Sequence, residues 1–187
     1  MPTVISHAVA GATLARLSGA GDATAVRAAG WQALLLCAVA AMLPDLDVVT
    51  FKLGIPYASP WGHRGISHSL LLALLAALLL SGLSRGMWQR LGWSWSRSCL
   101  LLFAVIASHA GLDMLTDATH GPALFMPFDM QRYLLPWRPI EGAPISPRLW
   151  LTGKGWRVVY TELLYVWLPC LMLWLLRVSL ERRKEQA

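Results

Sequence analysis

The stretch GHRGISHSLLLALLAALLL, residues 62–80, places two histidines and an arginine directly before a long apolar run. His63, Arg64 and His68 lie close together, and every residue from 70 to 80 is Leu or Ala. Polar side chains that are costly to remove from water therefore lie directly before a segment with the composition of a membrane helix. This contrast indicates a polar site at the boundary of a membrane.

The rest of the chain carries too much apolar surface for one soluble core. Of its 187 residues, 56% are hydrophobic and 14% are charged, whereas soluble domains have about 25% charged residues. The excess falls in blocks close to the length of a spanning helix: residues 65–84, 98–112 (extending to 116), 158–176 and 31–43, the last only if it extends back past Arg27. With the weaker stretch VISHAVAGATLARL, they predict an all-α, multi-pass transmembrane helical bundle with four or five membrane helices, forming one domain over residues 1–187.

Tryptophan, cysteine and charge agree with a membrane location. Trp88, Trp93 and Trp95 lie between two blocks, and Trp150 and Trp156 precede the last one, which is typical of aromatic side chains at headgroup depth. The three cysteines stand singly in apolar blocks without metal-binding spacing. The net charge of +6 is explained by loop arginines and a basic tail beside anionic lipid. We therefore expect membrane lipid as a partner and no nucleic acid.

Helices that alternate in direction bring the polar residues to one side of the membrane. LPDLD ends block 31–43, GHRGISHS opens block 65–84, and SHAGLDMLTD ends block 98–116. The N-terminal histidine joins them if its helix runs away from that side. Residues 17–30, residues 85–97 and the C-terminal tail, on the other side, contain no histidine.

The spacing within these clusters suits a metal. His109 and Asp113 are four residues apart on one helix face, and Asp45 and Asp47 point the same way if they are extended after Pro44. Imidazole and carboxylate suit one or two divalent ions, with zinc first and manganese or iron as alternatives. A proton or ion pathway and a purely structural polar cluster remain alternatives. The candidate ligands are His7, Asp45, Asp47, His63, His68, His109 and Asp113.

These motifs, in this order and followed by the Pro-rich GPALFMP…WRPI, resemble the YdjM family of inner-membrane metal-dependent hydrolases, some of which the LexA repressor controls. The resemblance covers about residues 5–145 and leaves a C-terminal membrane helix at about 158–178. The family has DxLTP where this chain has DMLTD, so Asp117 is either a further ligand or a helix cap. The order of ligands is also similar to that of zinc-dependent phospholipase C and P1-type nucleases. The positions that match the family are His7, Asp45, Asp47, His63, Arg64, His68, His109 and Asp113.

We therefore expect a metal-dependent hydrolase at the membrane boundary. The metal would lower the pKa of a bound water, Asp47 or Asp117 would accept its proton, and Arg64 would stabilise an anionic substrate, unless it only contacts lipid headgroups. A phosphoester, such as a phospholipid or a lipid-linked substrate, is the expected substrate. The alternative is a non-enzymatic membrane protein that binds metal or handles ions.

The basic residues predict the orientation of the chain. The arginines between residues 85 and 97 and the basic tail lie within about 15–20 residues of helix ends, where the positive-inside rule is strongest. We expect a cytoplasmic C-terminus and a site that opens to the outer face. A C-terminal reporter that is active only outside the cytoplasm should be silent, and one inserted near residue 145 should be active. The reverse pattern would move the site to the cytoplasmic side.

Overall fold

The computed structural model describes residues 1–20, 27–144 and 146–186, so residues 21–26 of the predicted loop 17–30 lie outside the described residues. Within these ranges the regular secondary structure is helical, and the β pairing consists of an isolated bridge between Thr116 and Ile140. Short 3₁₀ turns cover Leu43–Val48 and Ile66–His68, and a π-helical turn covers Leu163–Trp167. The α-helices are α1 (Val4–Leu17), α2 (Arg27–Met42), α3 (Val49–Lys52), α4 (Leu70–Leu83), α5 (Arg85–Arg90), α6 (Trp95–Met114), α7 (Pro147–Trp150), α8 (Gly153–Glu162) and α9 (Leu168–Glu185).

In the part of the chain that the structure describes, three helical segments are long and apolar enough to cross a membrane: Ala28–Lys52, Trp95–Met114 and Gly153–Lys184. Two shorter apolar helices, α1 and α4, accompany them. The prediction of an all-α membrane bundle is confirmed. Block 31–43 reaches spanning length because its helix begins at Arg27 and continues through the 3₁₀ turn into α3.

Block 65–84 is shorter as a helix than its composition predicts. Helix α4 begins only at Leu70, because the Ser69 side chain accepts a hydrogen bond from the Leu72 amide and caps the helix there. Its 14 residues span about 21 Å, less than the hydrocarbon core of about 30 Å. The residues before it form a loop and a 3₁₀ turn that carry His63 and His68.

Two of the five predicted interface tryptophans lie in the interior of the bundle instead. Trp88 and Trp93 are buried and stack on each other with ring centroids 5.3 Å apart. The Trp88 indole N–H donates to Ser84 Oγ at 2.7 Å, so its polar edge needs no headgroup partner. Trp95, Trp150 and Trp156 are exposed, as anchors at the interface require.

Small residues set the spacing between the helices. Helix α1 packs against α2, α6 and α9, while α4 packs against α6. The α1–α2 contact is tight at Gly11, where an added Cβ would lie 2.5 Å from the Cys37 carbonyl oxygen and 2.7 Å from Ala41 Cβ. Close approach of backbones at small residues is the usual basis of helix association in membranes.

We expect Gly11→Ala to lower the stability of the protein in detergent by about 1–3 kcal/mol, because α1 must move away from α2 to admit the methyl group. Gly82→Ala is the matched control, since the added Cβ within α4 meets nothing within 4 Å. Thermal unfolding of the purified variants measures both changes. Equal melting temperatures for the two variants would contradict the close α1–α2 contact.

Candidate metal centre

Five buried side chains from four segments of the chain converge at one end of the bundle. Helix α1 contributes one near its N-terminus, and the 3₁₀ turn after α2 contributes another directly after the proline of that turn. The turn before α4 supplies the third, and the last turns of α6 supply two that are four residues apart. The expected gathering of the polar clusters is therefore observed. The side chains are His7, Asp45, His68, His109 and Asp113.

Four atoms among these side chains form a compact set, which we call the four-donor set: Asp45 Oδ1, His68 Nε2, His109 Nε2 and Asp113 Oδ2. The two imidazole nitrogens are 3.0 Å apart. His109 Nε2 lies 3.3 Å from Asp45 Oδ1, and His68 Nε2 lies 3.3 Å from Asp113 Oδ2. The crossed distances, from His68 to Asp45 and from His109 to Asp113, are 3.8 and 3.9 Å. Tetrahedral ligands of a zinc ion lie about 3.3 Å from one another, so these separations fit one such ion.

The carboxylates of the site lack the hydrogen bonds that burial normally demands. Both oxygens of Asp45 and the Oδ2 atom of Asp113 have no hydrogen-bond donor among the described residues. Both ring nitrogens of His7 are also without a hydrogen-bond partner there. Unsatisfied buried carboxylates are costly, and a cation placed among them would remove that cost. The His7–Asp45–His109 and His68–His109–Asp113 groups each have the spacing to hold a metal ion.

Hydrogen bonds on the far side of the imidazole rings leave the inner nitrogens free. His109 Nδ1 donates to the Ala41 carbonyl at 2.7 Å, so its Nε2 carries a lone pair in the neutral ring. His68 Nδ1 lies 2.9 Å from Ser67 Oγ and 3.2 Å from Asp47 Oδ2, which favours the same arrangement. Two lone pairs that face each other across 3.0 Å require a proton or a metal between them. Metal-binding histidines are held in this way by partners behind the ring.

Asp47 is one of these partners, because it lies next to the Nδ1 atoms of both His63 and His68. Its Oδ1 atom lies 2.5 Å from His63 Nδ1, and its Oδ2 atom accepts the Arg64 amide at 3.1 Å and the Ser67 hydroxyl. The sequence predicts Asp47 and His63 as ligands, and they can form a metal-binding group with Asp45. The hydrogen bonds to Asp47 favour a different role, in which it orients the two histidines of the GHRGISHS motif.

Arg64 lies deeper than a residue that binds substrate. Its side chain is fully buried, and its Nη2 atom donates to Asp113 Oδ1 at 2.9 Å and to Thr116 Oγ1 at 3.0 Å. Its Nη1 atom donates to the His120 carbonyl at 2.9 Å. The φ angle of 62° is unfavourable for a residue with a side chain, and these bonds hold the residue in it. The geometry therefore assigns Arg64 to the orientation of Asp113, which differs from the expected contact with an anionic substrate.

A cleft of about 280 Å³ lies on the site side of the protein. Tyr57, His63, Asp117 and Lys154 are among the residues that line it, and burial raises the pKa of Tyr57, so its hydroxyl stays protonated. Asp117 does not join the four-donor set. Its Oδ1 atom accepts the Gly142 amide at 2.6 Å, so it fixes the following loop at the edge of the cleft.

Arg132, which no sequence pattern singles out, clamps the loop that carries the motif. Its Nη1 atom donates to the carbonyls of His63 and Arg64 at 3.2 Å and of Gly121 at 3.3 Å. Its Nη2 atom donates to the Tyr57 and Ser59 carbonyls, both at 3.2 Å. Backbone carbonyls are available at every residue, so such a partnership leaves no trace in the spacing of residue types.

We expect Arg132→Lys to destabilise the protein by about 1–3 kcal/mol, because one ammonium group cannot reach carbonyls on both sides of the planar guanidinium. Arg138→Lys is the control from the same loop, since Arg138 is exposed and makes one long bond of 3.4 Å to Ala118 O. Thermal unfolding and limited proteolysis of residues 55–66 measure the effect. Equal behaviour of the two variants would show that the clamp does not hold the loop.

Comparison with known proteins places the chain among inner membrane proteins. A family model described as YdjM inner membrane protein matches residues 1–184. Inner membrane protein YbcI of Escherichia coli (strain K12) is 36% identical over 173 residues, which cover 92% of this chain and 95% of that protein. No solved structure matches the chain with significance. The chain therefore belongs to the YdjM family and is a multi-pass inner membrane protein.

Proposed function

We propose that this protein is a metal-dependent hydrolase that acts on a phosphoester at the outer boundary of the membrane. The observation that carries the proposal is the four-donor set, in which two imidazole nitrogens and two carboxylate oxygens lie 3.0–3.9 Å apart across the five separations given above. Mixed nitrogen and oxygen ligands at this spacing suit zinc first, and manganese or iron as alternatives.

The residues present would hold one ion, and His7 is a candidate ligand of a second. Asp45, His68, His109 and Asp113 supply the first set of ligands. His7 Nε2 lies 3.9 Å from both Asp45 Oδ2 and Asp113 Oδ1, so His7 would be a ligand if a second ion were held. A bound divalent metal supplies an activated water and polarises the scissile bond.

In this proposal, His63 and Asp117, which line the cleft, transfer the protons. Asp47 holds His63 by its Nδ1 atom at 2.5 Å, which leaves Nε2 as the ring nitrogen available to take up or give a proton. His63 also lines the cleft, as does Asp117. In this scheme Asp47 orients the proton acceptor rather than accepting the proton itself, and Asp117 remains a candidate for the second proton transfer.

The depth of the site favours a lipid substrate. His109 lies five residues before the end of α6 at Met114, or about 8 Å inside a helix about 30 Å long. A centre about 8 Å inside the end of such a helix is easiest to reach for a substrate that itself enters the membrane, such as a phospholipid or a lipid-linked phosphoester. Because Arg64 is occupied by Asp113, the partly exposed Lys154 of the cleft is the better cation for a phosphate.

Burial of all the ligands also suits the alternative of a membrane protein that binds metal without turnover. Asp45, the most exposed of the four ligands, is 6% exposed, which leaves little room for a substrate at the metal unless it enters from the cleft. Bound metal therefore supports both functions. Cleavage of a phosphoester that depends on the metal separates them.

We expect purified wild-type protein to contain one or two divalent ions per chain and to release phosphate or headgroup from phospholipid vesicles. Chelation should abolish the release and added Zn²⁺ should restore it. His68→Ala, His109→Ala and Asp113→Ala should each lose most of the metal and on the order of 100-fold or more in activity, because each removes a ligand. Elemental analysis and a phosphate assay measure the two effects.

His120→Ala is the matched control, because His120 is exposed and its side chain bonds to its neighbour Thr119. It should keep both metal and activity. Full metal occupancy in all three ligand variants would end the assignment of the site. Metal loss in these variants, combined with no metal-dependent cleavage by the wild-type protein, would favour the non-enzymatic alternative.

A further inference from the structure

We call the continuous helical segment Gly153–Lys184, which comprises α8, the π-helical turn and most of α9, the C-terminal helix. It carries a fully buried carboxylate, that of Glu162. Its Oε1 atom accepts the Thr3 amide at 2.5 Å, and its Oε2 atom accepts the hydroxyls of Thr3 and Ser6, both at 2.6 Å. All these donors belong to the N-terminal segment that begins α1. Hydrogen bonds to a buried carboxylate are among the strong ones in proteins, so Glu162 binds the start of α1 tightly.

The π-helical turn Leu163–Trp167 brings a second side chain to the same place. Trp167 Nε1 donates to Ser6 Oγ at 2.8 Å. In a regular α-helix, residues five apart point about 140° away from each other, so Glu162 and Trp167 could not both face Ser6. A π-helical turn changes this angle, and such turns are often found at functional sites.

These contacts fix the first turn of α1. Thr3 is the N-cap residue, and its side chain accepts a hydrogen bond from the Ser6 amide. The Glu162 carboxylate lies at the N-terminus of the helix, where the helix dipole favours a negative charge. The next residue along the chain is His7, whose ring belongs to the metal centre.

His7 depends on the position of α1 more than the other histidines do. Its two ring nitrogens have no hydrogen-bond partner among the described residues, whereas His109 is held by the Ala41 carbonyl. His7 stacks on the His109 ring, with centroids 3.6 Å apart and an angle of 13° between the planes. A stacked ring can slide, so the backbone of α1 decides where its Nε2 atom lies.

We propose that Glu162 is a positioning residue of the metal centre, which places His7 by anchoring the first turn of α1 to the C-terminal helix. The C-terminal helix would then be part of the functional unit, although it carries none of the metal ligands. The inference rests on the proposed function for the identity of the centre. Glu162 itself contacts neither metal nor substrate in this account.

The chain offers a matched control in Glu181. This residue lies on the same C-terminal helix and pairs with Arg16 of α1, but at the end of α1 away from His7. Glu162→Ala and Glu181→Ala therefore each remove one carboxylate link between the same two helices. Only the first should change the metal centre. Glu162→Gln serves as a second variant that keeps the shape of the side chain.

The experiment combines Co²⁺ binding with hydrogen exchange. Glu162→Ala and Glu162→Gln should weaken by about 10-fold or more the binding of a second Co²⁺ ion, the one that His7 would hold, and should change the visible spectrum of the fully loaded protein, while Glu181→Ala keeps both close to wild type. Amides of residues 6–10 should exchange faster in the Glu162 variants only. Wild-type affinity and spectrum in the Glu162 variants would overturn the proposal. If wild-type protein binds no Co²⁺, the proposed function fails, and unchanged exchange at residues 6–10 would overturn the anchoring by Glu162 independently.

Discussion

The buried carboxylates of Asp45 and Asp113 determine how this end of the bundle is built. Negative charge at membrane depth is stable only when cations or hydrogen-bond donors surround it. Arg64 donates a hydrogen bond to one oxygen of Asp113. Both oxygens of Asp45 and the other oxygen of Asp113 lie next to imidazole rings and accept no hydrogen bond from the described residues. The nitrogen atoms next to these oxygens come from α1, from the turn before α4 and from α6. A divalent cation would complete the arrangement electrostatically.

The site depends on its supporting contacts as much as on its ligands. A carbonyl of α2 orients His109, Asp47 orients the histidines before α4, and Arg132 holds the loop that carries them. The α1–α2 contact at Gly11 lies one turn along α1 from His7 and includes Ala41, whose carbonyl orients His109. Packing between small residues in the membrane and geometry at the metal are therefore coupled. A change in the spacing between α1 and α2 would therefore displace both His7 and His109.

The sequence predicts the membrane helices and the convergence of the polar clusters, because hydropathy and the alternation of helices depend on local composition. It predicts less well what depends on tertiary contacts. Arg64 next to two histidines suggests a substrate contact, but its partner Asp113 lies on another helix. Arg132 binds carbonyls, and Glu162 binds Thr3 and Ser6 from the far end of the chain. Such long-range pairs leave no periodic signal in one sequence.

The most direct test of the proposed metal centre is X-ray absorption spectroscopy at the metal edge of the purified, zinc-loaded protein. We expect a first shell of nitrogen and oxygen atoms at about 2.0–2.1 Å, including two imidazole rings that give multiple-scattering features in the spectrum. The matching His68→Ala spectrum should lose one imidazole contribution. A shell of oxygen atoms alone at longer distance, or sulfur ligands, would contradict the four-donor set formed by Asp45, His68, His109 and Asp113.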